Sequence, residues 1–340
     1  MIGRASPHKT APRTTQQVMG WVLVALIPGV LVMLWAFGIG VLINLALAIA
    51  TGLACEAGIQ RLRGRDPKPV IQDLSGVLAC ALLAVSLPPL APFWIPIVGA
   101  LLTIGLAKQL FGGLGHNPFN PAMVGYAILL ISFPIAMSTT WVNPQQTPSP
   151  GQTLSAIFAG IDGYSGATPL DVYKDQVQRL TQAEILQSEV FSGSLTGAWT
   201  WLGLVWLAGG ALMLFKRITY WQAPVGLILG IAIPAGLFGF DADQSVPLSL
   251  HLMGGATLFA AFFIVTDPVS GATSPRGRLA FGLGAGMLTW VIRTYGGYPD
   301  AIAFGVLLMN LCAPLLDQYT RPRIYGHKAA RRGPVLEKRS

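Results

Sequence analysis

Ten stretches of roughly 20 apolar residues leave this 340-residue chain few ways to fold in water. They lie near 18–38, 40–59, 71–88, 90–108, 121–141, 197–215, 222–240, 248–266, 279–293 and 300–316. Each is about the length that an α-helix needs to cross a bilayer's hydrocarbon core. A soluble core of this size needs a polar shell, and soluble domains are about 25% charged. This chain is 11% charged and 53% hydrophobic. The expected fold is therefore an all-α polytopic membrane protein of about ten transmembrane helices, read as a single membrane domain over 1–340. With 40 glycines and 25 prolines, broken and closely packed helices are expected. The polar start is too long for a signal peptide's n-region and the first apolar stretch lacks a cleavage site, so both read as mature structure.

Charge placement sets the expected orientation. With both termini cytoplasmic (tails 1–17 and 317–340), cytoplasmic segments hold all but Lys174, Arg179 and Arg293 of the 22 basic residues. This follows the positive-inside rule. The net charge of +8 then reflects topology and attraction to anionic membrane lipid, not nucleic-acid binding. Glu56 and Asp73 fall near span ends, where snorkelling is cheap. The three cysteines, Cys55, Cys80 and Cys312, sit in apolar stretches without C-x-x-C spacing and read as buried thiols. Segment 142–196 is the one long loop; it is acidic, and on this orientation external, a cap on the bundle.

Two stretches resemble each other. Spans three to five carry Leu87-Pro88-Pro89, Lys108, Gly112-Gly113 and Pro121 to Leu130. Spans eight to ten carry Thr266-Asp267-Pro268, Arg293, Gly296-Gly297 and Ala301 to Leu308. An offset of five spans is odd, so the fold is expected to comprise two inverted five-helix repeats. Such repeats place broken helices and their sites near the midplane.

Ser-Gly-Ala-Thr occurs twice, each time three residues after an aspartate: Asp162 before Ser165-Gly166-Ala167-Thr168, and Asp267 before Ser270-Gly271-Ala272-Thr273. The pattern D-x-x-[S/T]-G-A-T resembles the acceptor motif on which a flavin transferase attaches FMN through a threonine phosphoester. Thr168-Pro169-Leu170-Asp171 also reads as a capped helix start, whose free N–H groups favour a phosphate. An ordinary helix cap is the plain alternative. Thr273 has no acid at the equivalent position and is expected on the cytoplasmic side, so Thr168, with Ser165, Gly166, Ala167 and Asp171, is the expected flavin site. The run Gly112-Gly113-Leu114-Gly115-His116-Asn117-Pro118-Phe119-Asn120 either binds a flavin or quinone head, through Gly112, Gly113, Asn117 and Asn120, or is a re-entrant packing loop. A metal site at His116 is rejected, since no second histidine lies nearby. Asp267, at the end of a broken span, is either an ion-coupling group or, more plainly, a helix-end cap or a partner for Arg276.

Together, the Thr168 motif, the glycine-rich run with its Asn120-Pro121-Ala122 continuation, Leu87-Pro88-Pro89, and Thr266 to Arg278 resemble the NqrB/RnfD family over nearly the whole membrane region. The short stretch before the first span favours the RnfD branch. The resemblance implies an electron-carrier subunit of an ion-translocating oxidoreductase in the bacterial cytoplasmic (inner) membrane, inactive alone. Covalent FMN would sit on Thr168 in a periplasmic loop, with a noncovalent riboflavin possible inside the bundle. It implies other Rnf-type subunits as partners, including a second flavin-bearing one, a flavin transferase for maturation, and coupling to Na⁺ or H⁺. Two rivals stand beside it: an NqrB-like subunit of a sodium-pumping quinone reductase, and a flavin-free solute transporter.

Overall fold

The computed structural model describes residues 13–160, 166–177, 179–187, 194–239, 246–298 and 301–322. Among these the chain is all-helical, with one isolated backbone bridge between Thr140 and Gly166. Ten principal helical segments follow in order. The first half holds α1 (Thr15–Phe37), α2 (Gly40–Leu62), α3 (Ser75–Ser86), α4 (Trp94–Leu101, running on as a π-helix over Leu102–Gln109) and α5 (Pro121–Ser132). The second holds α6 (Ser194–Phe215), α7 (Gln222–Phe238), α8 (Thr257–Phe259, running on as a π-helix over Ala260–Ile264), α9 (Pro275–Tyr295) and α10 (Ile302–Tyr319). Helices α1, α2, α6 and α10 are long and apolar enough to cross a membrane by themselves.

The remaining apolar stretches are broken, for local reasons. Helix α3 starts only after Leu74, whose φ is 62°, and stops before Pro88 and Pro89. Phe133 precedes Pro134 and leaves helical geometry (φ −133°, ψ 58°), since proline crowds the residue before it. Gly254 and Gly255 separate the short helix Leu248–Met253 from α8.

Close packing is sharpest between α7 and α9. A Cβ on Gly226 or Gly230 of α7 would collide with the backbone of Leu279 to Met287, and one on Gly282 or Gly286 of α9 with Ala223 to Gly230. Two small-x-x-x-small pairs thus bring two backbones into contact, where dispersion substitutes for the hydrophobic drive that lipid cannot supply. Replacing Gly286 with leucine is expected to cost about 3 kcal/mol, the upper end of overpacking. A detergent-unfolding titration indistinguishable from wild type would show that α7 and α9 do not meet this way.

The packing repeats between the halves. Gly125 of α5 faces Gly99 and Thr103 of α4, while Gly305 of α10 faces Ala285 and Thr289 of α9. Lys108, at the end of α4, donates to the hydroxyl of Ser75, the first residue of α3, at 2.7 Å. Arg293, near the end of α9, donates to that of Thr257, the first residue of α8, at 3.0 Å. Lys108 and Arg278 line one cavity, whereas Arg293 lies fifteen residues beyond Arg278 on α9, about 22 Å away. The two basic anchors therefore sit at opposite ends of the bundle, as inverted halves require.

Basic residues also segregate. Arg13 reaches the Lys216 carbonyl, Arg63 reaches Gln109, and Arg278 lies over Tyr220, all at the Lys108 end. Lys174 meets Arg293 at the other.

Candidate functional site

The helix Pro169–Gln176 begins at Thr168, which has extended backbone (φ −67°, ψ 156°) and caps it. The Thr168 hydroxyl accepts from the Asp171 N–H at 3.2 Å and donates to Asp171 Oδ2 at 2.6 Å; the Thr168 N–H also reaches Oδ2, at 3.2 Å. Gly166 donates to the Thr139 carbonyl, and a side chain there would run into the Trp141 carbonyl, so only glycine fits this bridge. Ala167 is exposed; Ser165 and Asp162 lie outside the described residues. The helix is docked through Leu170 and Tyr173, which are buried with Ile185 and Leu250. Lys174 donates to the carbonyls of Arg293, at 3.0 Å, and Gly296. Burial lowers the pKa of this lysine against the opposing pull of Asp171.

Thr168 itself is 3% exposed and lines a cavity with Trp141, Trp199, Trp206, Phe259 and Tyr126. These aromatics include two close pairs: Trp141 and Trp199 are 5.8 Å apart and Trp206 and Phe259 5.0 Å. The space, about 70 Å³, is thus walled by aromatic rings, with the hydroxyl of a helix cap at its edge.

The second Ser-Gly-Ala-Thr is built differently. Ser274, not Thr273, caps α9, accepting from the Gly277 N–H at 2.9 Å. Thr273 is exposed, and its N–H donates to Asp317. Asp267 closes a tight turn, accepting from the Ser270 hydroxyl (2.6 Å) and the Val269 N–H (3.2 Å), and among the described residues it makes no ion pair with Arg276.

Around this turn lies the larger cavity, about 170 Å³, lined by Ser75, Lys108, Asn117, Asn120, Asp267 and Arg278 among others. The glycine-rich run is thus split. Asn117 and Asn120 face the cavity; Gly112 and Gly113, whose φ angles are 114° and 101°, shape the loop without lining it. Asn120 caps α5 through Met123 and donates to Ile264, while its N–H reaches Asn310 of α10. Asn310 in turn donates to the Ser270 carbonyl at 3.0 Å, a tie between the halves that no local sequence pattern announces.

Glu56 corrects the sequence reading. It does not snorkel: it is 0% exposed, paired with Lys108 Nζ at 2.6 Å, and accepts from Gln109 at 2.8 Å. Lys108, read from sequence as the cytoplasmic end of the 90–108 span, is itself 2% exposed. Opposite charges in two apolar spans were the available signal, because a charge inside a bundle needs a partner. Cys312 departs too, lying exposed on α10, whereas Cys80 is buried.

The sequence profile of the NQR2, RnfD, RnfE family matches residues 2–326. A protein from Marinobacter nauticus, named as a subunit of an ion-translocating oxidoreductase complex, is 46% identical over 98% of this chain and 97% of its own length. A protein of the same name from Escherichia fergusonii is 45% identical over 95% of this chain and 98% of its own. With its whole helical region matched at this level, the chain belongs to the NQR2, RnfD, RnfE family.

Proposed function

We propose that the chain is a membrane subunit of an ion-translocating oxidoreductase complex and carries FMN on Thr168. The names of its full-length relatives support the first part. The observation that carries the second is the pairing of the acceptor-like motif with a buried, helix-capping hydroxyl at the edge of an aromatic cavity. FMN, once attached, supplies the redox chemistry; the protein supplies distance, orientation and exclusion of water. Trp141, Trp199 and Phe259 offer stacking faces, and Thr168 stands at the N-terminal, positive-dipole end of the Pro169–Gln176 helix, where a phosphate is favoured. Partners on this reading are the other subunits of the complex, including a second flavin carrier, and a flavin transferase.

The larger cavity is the place this reading gives to a noncovalent riboflavin or quinone, with Asn117 and Arg278 as its polar contacts. Asp267 at its wall is the candidate for cation coupling to Na⁺ or H⁺. The same reading puts the chain in the inner membrane, with its Lys108 end cytoplasmic and the Thr168 segment periplasmic, as one membrane domain.

Intact mass with in-gel flavin fluorescence tests the attachment, on protein produced with an active flavin transferase. Wild type and Thr273→Val are expected to carry one FMN, and Thr168→Val none. An adduct lost only in Thr273→Val would move the site and reverse the orientation. A wild type without adduct would favour the flavin-free transporter.

A further inference from the structure

We infer that Asp171 is the base that readies Thr168 for its own flavinylation, an inference that rests on Thr168 being the acceptor. A threonine hydroxyl is a weak nucleophile until an adjacent group takes its proton. Asp171 Oδ2 is already the acceptor of that proton, 2.6 Å from the reacting oxygen and within general-base reach. The backbone orients both partners: Thr168 N–H holds Oδ2, and Asp171 N–H holds the hydroxyl oxygen.

In the step, the Thr168 Oγ–H bond breaks and its proton passes to Asp171 Oδ2. Oγ bonds to the flavin-side phosphorus of flavin adenine dinucleotide, and the bond from that phosphorus to the bridging oxygen breaks. The electron pair leaves with adenosine monophosphate; the flavin is neither oxidised nor reduced.

The docked helix leaves Thr168 3% exposed, so a transferase reaches it only with this segment swung away from the bundle. The Thr168–Asp171 pair is suited to that circumstance. Its members are three residues apart around one helix start, so the pair travels with the segment. Thr181 and Glu184 repeat the arrangement, with the hydroxyl donating to Glu184 Oε2 at 2.8 Å, but lack the preceding Ser-Gly-Ala. The acid therefore activates, while the flanking residues select; Thr181 is the internal control.

The test uses the full-length protein in detergent, a purified active flavin transferase and flavin adenine dinucleotide, following the adduct by intact mass and mapping it by peptide mass. Asp171→Asn keeps an oxygen for the Thr168 N–H but cannot hold the proton. It is expected to lower the maximal rate of attachment at least ~100-fold, the size of a general-base contribution, with the KM for the acceptor protein unchanged. Asp171→Glu should recover most of the rate, and Asp171→Ser, which has no carboxylate to take the proton, should be as slow as asparagine. Adduct forming on Asp171→Asn at the wild-type rate, or a loss confined to KM, would overturn the base. Mapping to Thr181 would overturn the division between activation and selection. Wild type that gains no FMN, from a transferase active on a control acceptor, would bring down the Thr168 reading and this inference with it.

Discussion

Replacing Lys108 with methionine is expected to destabilise the protein by about 3–5 kcal/mol, the cost of leaving one member of a buried ion pair alone. Glu56 would keep only the Gln109 side chain at Oε1, and its second oxygen, Oε2, already has no hydrogen-bond partner among the described residues. The damage should not stop at Glu56. Lys108 also donates to Ser75, the residue that starts α3, and Ser75 donates in turn to Asp73. Losing the cation loosens the start of a helix that walls the larger cavity. The double variant Glu56→Gln with Lys108→Met should recover most of the loss, because two neutral side chains of similar volume require no buried charge. Denaturant titration of the four proteins in one detergent gives the coupling. A Lys108→Met variant within about 1 kcal/mol of wild type would mean that water reaches Glu56 and that the pair is not buried.

What the sequence revealed and concealed follows from how far apart the interacting residues are. The break at Leu87-Pro88-Pro89 was legible because proline acts on its immediate neighbours, whereas the one at Pro134 falls inside the stretch 121–141 that was read as a single span. The Thr168 cap was legible because its partner is three residues away. The internal repeat was visible in paired glycines and basic residues, and Gly125 with Gly305 proved to make matching contacts. By contrast, Glu56 and Lys108 are 52 positions apart and Asn120 and Asn310 are 190 apart, and no local pattern brings such pairs together. Gly282 and Gly286 contributed only to a general expectation of close packing, since the helix they meet, α7, is distant in sequence. The glycine-rich run blended two roles: its asparagines face the cavity, while Gly112 and Gly113 only turn the chain.

Thr168→Val is expected to reduce electron transfer by the assembled complex to the background of membranes lacking this subunit. That loss is separable from simple damage to the fold. Valine keeps the shape of threonine but removes the hydroxyl that caps the Pro169–Gln176 helix, and a lost N-cap costs about 1 kcal/mol. A penalty that small can fray one external helix; it cannot unfold a bundle whose core lies elsewhere. Leu170 and Tyr173 would still dock against Ile185 and Leu250. Complex assembly, measured by co-purification of the other subunits, should therefore survive while flavin fluorescence on this chain and turnover are both lost. Thr168→Ser supplies the opposite control, since serine caps as well as threonine and retains an oxygen for the phosphoester. It should hold both the adduct and most of the turnover. Full turnover in Thr168→Val, with the complex intact, would mean that electrons do not pass through a flavin at this position, and the aromatic cavity beside it would then need a different occupant.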